Sequence, residues 1–126
     1  MTLQQALFNT PLIELRDMPN GGSDKSLKKN IQSIDSGLKQ VLALRPVSWH
    51  WKSPKPGKNT EHGFVAQEVE KVLPDLVYLD SWEDGTERKF LSTKEMVPYL
   101  VAAIQEQQQQ IESLRKELSS KTKQSK

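Results

Sequence analysis

From Val97 to the C-terminus, apolar side chains return on alternating steps of three and four residues. Val97, Leu100, Ile104, Gln107, Ile111, Leu114 and Leu118 occupy these positions, which is the a/d spacing of a coiled coil. At ~1.5 Å per residue the seam runs for about 32 Å. The stretch "QEQQQQIESLRKEL" leaves the stripe narrow and everything around it polar. A narrow stripe suits a partner helix of the same kind better than the broad face of a helix packed on its own domain, which is the alternative. Gln107 stands at a seam position, where an amide pins register at some cost in stability. The seam predicts an oligomer, and its isoleucines and leucines do not fix the number of chains. Ser92 or Thr93 is expected to cap the helix, with Glu95 in the first turn where the helix dipole favours a carboxylate. Pro98 is tolerable because it lies near that start.

Composition points the same way. Only 35% of the 126 residues are apolar, against ~45–50% in an ordinary globular chain when glycine is counted too. The core must be small, or completed by other subunits. A net charge of +2 is too small for a nucleic-acid binder, and the tail "KELSSKTKQSK" is expected to be a solvated end. Cysteine is absent, so disulfides and thiolate metal sites are excluded. No residue cluster calls for a metal or cofactor. No apolar run approaches the ~20 residues of a membrane span. The start "MTLQQALFNTPLIEL" has no basic segment followed by an apolar one, so no signal peptide is expected.

Three parts are predicted: a leader over residues 1–22, a mixed core over 23–92, and the long helix with a frayed tail over 93–126. In the leader "FNTPLIEL" reads as extended and "DMPNGG" as a turn. In the core, Ile34, Leu38, Val41 and Leu42 recur at helical spacing within "IQSIDSGLKQVLALRP", and Pro46 ends the pattern. "VSWHW" alternates as a half-buried strand, and "KSPKPGKNTEH" is a loop. "GFVAQEVEKVLPDLV" enters a strand at Phe64 and Val65 and continues into a short helix that Pro74 ends. "LVYLDSWEDGTERKFL" reads as a hairpin, Val77–Leu79 and Arg88–Leu91 flanking "EDG". The fold class is α+β, with short antiparallel strands, helices and a long C-terminal coiled-coil helix.

The segment "GGSDKSLKKNI" carries the candidate chemistry. Serine is a poor nucleophile until a base takes its proton. His50 lies between tryptophans in a strand and His62 in a glycine- and proline-rich loop, so both are read as structural or surface residues. A lysine can serve instead when burial or neighbouring cations favour its neutral amine. One turn of "SDKSLK" would bring Lys28 back onto Ser23, with Lys25 and Lys29 as nearby cations. Gly21 permits an unusual backbone and Gly22 offers no side chain to obstruct attack. The bond at risk is Gly22–Ser23, which needs no substrate pocket because proximity is built in. The other reading is that Ser23 or Asp24 merely caps a short helix.

The stretches "SDKSLKKNIQSID", "LALRPVSWHWK", "GFVAQEVEKVLPDLV" and "YLVAAIQEQQQQIESL" resemble, in order and spacing, the intramolecular chaperone auto-processing domain. That domain ends many phage tailspikes and tail fibres, and a related version occurs in myelin regulatory factor proteins. The resemblance covers residues 23 to about 118; S-D-x-x-L-K-x-N-I and G-F-x-A-Q-E-V-E are its distinctive motifs. It implies a homotrimer that holds upstream fibre chains in register in cis, then releases itself by cutting before the serine. The family's nucleophile and lysine fall on Ser23 and Lys28. Asp24, Leu27, Asn30 and Ile31 match further motif positions that would shape the turn, and Gln67 and Glu68 would make polar contacts near the site or between subunits. Residues 1–22 would be the remnant of an upstream fibre, shorter than the family's usual context. The resemblance further implies action in the host cytoplasm during virion assembly, with release from the mature fibre. Two other classes remain: a non-catalytic trimerisation module, and a membrane-tethered regulator like the myelin regulatory factor branch, against which the absence of a membrane span counts.

Overall fold

The structure, a computed structural model, describes residues 22–53, 56–57 and 59–124. The extended stretch and turn expected before Gly22 lie outside the described residues. The described residues fall into two compact units, one ending at Ser33 and the other beginning at Ile34.

The first unit carries a single 3₁₀ turn, Lys25–Leu27. After it, Asn30 adopts φ 55°, a left-handed conformation that asparagine tolerates better than most residues. The chain is therefore redirected between Lys29 and Ile31, at one of the motif positions.

The second unit begins with α1, Leu38–Leu42. The apolar spacing predicts a helix over 31–46, and the structure shortens it to five residues. Ser33, Asp35, Ser36 and Gly37 precede it, and these side chains favour turns and caps over helix interiors. Two strand pairs follow. β1 (Val47–Trp49) pairs antiparallel with β2 (Glu61–Gly63), Val47 opposite Gly63 and Trp49 opposite Glu61. Val47 and Trp49 are half-buried and Ser48 exposed, so the expected alternation holds. The strand expected at Phe64 and Val65 lies instead at Glu61–Gly63, so the expected loop stops short of Glu61 and His62 stands in a strand opposite Ser48. Helix α2, Ala66–Glu70, comes next, and Pro74 opens a 3₁₀ turn, Pro74–Leu76. The hairpin is present as expected: β3 (Val77–Ser81) pairs with β4 (Glu87–Leu91), Tyr78 opposite Phe90. Gly85 at φ 81° makes its turn possible.

A 3₁₀ turn, Lys94–Met96, leads into α3, Val97–Gln124. The capping role expected of Ser92 or Thr93 is corrected: Thr93, not Ser92, stands at the cap position, and it makes no side-chain capping bond. Its φ and ψ of −65° and −30° are already helical, whereas a capping side chain reaches back from an extended residue. The unit is α+β, with short antiparallel strands and a long C-terminal helix.

The core is small. Val69, Leu73, Leu76 and Met96 are buried together, with Phe64, Val72, Val77, Leu91 and Tyr99 packed on them. Truncating any of the four to alanine is worth roughly 2–5 kcal/mol. A second contact joins α1 to the first turns of α3. A Cβ on Gly37 would stand 2.7 Å from the Tyr99 carbonyl oxygen, 3.2 Å from Ala102 Cβ and 3.3 Å from the Ala103 nitrogen. Leu38, Ala102 and Ala103 are buried here, and the Leu38 N–H donates to Glu106 Oε2 at 3.2 Å. Small residues on both sides let the backbones touch. Gly37→Ala should therefore push backbone against backbone, costing about 1–3 kcal/mol as overpacking does. Thermal unfolding should report this as a fall in midpoint of about 10 °C, and an unchanged midpoint would contradict the close approach.

Candidate functional site

The 3₁₀ turn at Lys25–Leu27 decides where the motif side chains go. Two backbone bonds close it, Leu27 N–H to the Asp24 carbonyl at 3.0 Å and Lys28 N–H to the Lys25 carbonyl at 3.1 Å. Asp24 is the capping residue. Its Oδ1 accepts from the Ser26 N–H at 2.8 Å and from the Ser26 hydroxyl at 2.6 Å. These bonds, the hydroxyl's first, hold the Asp24 carboxyl below its usual range. The capping role thus belongs to Asp24, and Ser23 is left for another partner.

That partner is Lys28. Its Nζ donates to Ser23 Oγ at 2.6 Å, so the two residues that the spacing predicts to meet do meet. They do so within one chain, and both are exposed. Gly22 is described as well, and a Cβ there would come within 2.6 Å of Leu27 Cδ1. Leu27 is exposed and its end can swing aside. A small side chain at position 22 would therefore disturb alignment more than stability.

The remaining predicted residues are placed as follows. Gln67 is exposed and Glu68 half-buried on α2. Glu68 is held by Arg45 in a two-pronged pair, Nε to Oε1 at 2.8 Å and Nη2 to Oε2 at 2.6 Å. This hydrogen bonding lowers the Glu68 carboxyl and raises the Arg45 guanidinium. The planar fork suits arginine and no other side chain. His50 shares a hydrogen bond with Thr60 at 3.2 Å, and His62 is exposed. Among the described residues no group of acidic or histidine side chains could hold a metal ion.

Along α3 two faces differ. Tyr99, Ala102, Ala103 and Glu106 serve the contact with α1. The seam residues Val97, Leu100, Ile104, Ile111, Leu114 and Leu118 are each between 40% and 66% exposed, and Gln107 is exposed too. The helix does pack on its own domain, but through a face other than the seam.

Sequence reasoning missed three features. The Asp24–Ser26 contact was hidden because a D-x-S triplet is common. The Arg45–Glu68 pair spans 23 residues, beyond any local pattern. The α1–α3 contact did leave a signal, a glycine before one helix and an Ala-Ala pair in another.

No helix among the described residues is long and apolar enough to cross a membrane. No curated protein matches the chain. Residues 23–78 match the model of a peptidase family described as chaperone of endosialidase. The matched segment opens at Ser23, takes in the lysine contact, both strands of the first pair and α2, and ends on the first strand of the hairpin. The match from Ser23 to Tyr78 agrees with the intramolecular chaperone domain that the motifs resemble.

Proposed function

We propose that the chain is the C-terminal intramolecular chaperone of a phage tail fibre or tailspike, that it works as a homotrimer, and that it releases itself by cutting Gly22–Ser23. What carries the reading is the 2.6 Å contact between Lys28 Nζ and Ser23 Oγ, lying at the first residue of the family match. The seam Val97–Leu118, exposed along α3, supports the assembly step. Linked chains meet at high effective concentration, so fibre registry no longer depends on dilute encounter.

The chemistry needs only groups in the turn. With Lys28 as the neutral amine, Nζ takes the Ser23 hydroxyl proton while Oγ adds to the Gly22 carbonyl carbon. The amide C–N bond then breaks, and Nζ returns a proton to the departing Ser23 nitrogen. An ester joins Gly22 to Ser23 Oγ. Water hydrolyses it to a Gly22 carboxylate and the free Ser23 hydroxyl, leaving a new amino terminus at Ser23. Burial of an amine by neighbouring chains would favour the neutral form that this step needs. Assembly then governs cleavage through solvent rather than by bringing the pair together.

Intact-mass measurement and light scattering of the fresh protein test this. The expected outcome is a trimer that yields a fragment beginning at Ser23. A stable trimer that never yields the fragment would leave a chaperone without self-cleavage. That reading has less support, because Asp24 rather than Ser23 fills the cap.

A further inference from the structure

The motif S-D-x-x-L-K leaves positions 25 and 26 open, and one of them holds the turn together. Left extended, five residues would separate Ser23 from Lys28 by about 17 Å. Their polar ends stand 2.6 Å apart because the chain turns once between them. No residue of that turn is buried, so apolar packing inside it does not maintain it. Two backbone bonds and the paired Ser26 bonds to Asp24 Oδ1 remain.

We propose that Ser26 is a positioning residue for the self-cleavage described above, clamping Asp24 so that the turn presents Lys28 to Ser23. The inference rests on that reading of the Ser23–Lys28 pair. Ser26 touches neither the scissile bond nor the reacting atoms in this assignment. Its hydroxyl doubles the hold of its own N–H on one carboxylate oxygen, and bonds to a charged acceptor are the stronger kind.

The chain uses the same device a second time. In the turn between β3 and β4, Asp84 Oδ1 accepts from the Thr86 N–H at 2.9 Å and from the Thr86 hydroxyl at 2.5 Å. The turn it locks sets the register of the hairpin, where Trp82 N–H donates to the Thr86 carbonyl at 2.8 Å. A carboxylate, one spacer and a hydroxyl residue thus form a repeated clamp, and threonine fills the hydroxyl position as well as serine does.

The full chain and its Ser26→Ala and Ser26→Thr variants would be compared by the rate at which the Ser23-terminated fragment appears, across pH, with light scattering alongside. Ser26→Ala should cleave about tenfold more slowly, the effect of losing a charge-assisted bond that aligns a reacting pair. Ser26→Thr should restore the rate to within about twofold, as the Thr86 clamp leads one to expect. The pH midpoint should not move, because the clamp alters placement and leaves the identity of the base unchanged. Equal rates for wild type and Ser26→Ala would overturn the proposal while leaving the Ser23–Lys28 reading intact. So would a slow Ser26→Thr, which would point to side-chain size rather than the hydroxyl. A wild-type chain that never cleaves would instead remove the underlying reading.

Discussion

Lys28→Arg should stop self-cleavage as completely as Ser23→Ala does, with assembly unchanged. The arginine keeps a positive charge and the ability to donate to Ser23 Oγ, but it cannot give up its proton at accessible pH. If Lys28 only anchored the serine by a hydrogen bond, arginine would serve about as well. If Lys28 is the base, arginine is as inert as methionine. Removing one member of a nucleophile–base pair costs on the order of 10³-fold or more, so intact mass should show full-length chain where wild type shows the Ser23-terminated fragment. The Lys28 Nζ–Ser23 Oγ contact of 2.6 Å makes the comparison direct, since the two side chains already touch. Cleavage of Lys28→Arg at a rate near wild type would rule out lysine as the base. Cleavage of Ser23→Ala at the same bond would rule out the serine.

What the sequence disclosed depended on the range of the interaction. The hairpin was legible because Tyr78 and Phe90 lie across a turn signalled by Asp84 and Gly85. The long helix was legible because its heptads repeat without interruption. Helix α1 was overextended by the same periodic logic: Ile34 fits the spacing, but it is exposed, and the turn-forming residues after it outweigh the pattern. At the candidate site, the five-residue separation of Ser23 and Lys28 had little force alone. A 3₁₀ turn, rather than an α-helical one, closes it, and short turns have no periodicity to read. Resemblance pointed to both residues, and geometry supplied the clamp at Ser26, a position that the motif leaves open. The Arg45–Glu68 pair and the docking of Gly37 against Ala102 and Ala103 depend on tertiary contacts, so no window along the chain contained them.

The two-faced character of α3 leads to the last expected result. Ile111→Asp with Leu114→Asp should turn the assembly into monomers while leaving the domain folded. Each wild-type side chain would contribute roughly 1.5–3 kcal/mol when fully buried in a seam. Each aspartate would bring a charge into an apolar interface beside its copies, where neither water nor a partner satisfies it. The two positions lie about two and three turns beyond Ala103, so the contact with α1 through Gly37, Leu38 and Glu106 is untouched. Circular dichroism should therefore keep the signal of the α+β unit while light scattering falls to one chain. In the same sample the Ser23-terminated fragment should fail to appear, because no neighbouring chain would cover the exposed Ser23–Lys28 pair. If the monomer cleaved as fast as the assembly, the seam would have no part in controlling the cut. If the double variant stayed oligomeric, the chains would associate through some surface other than Val97–Leu118.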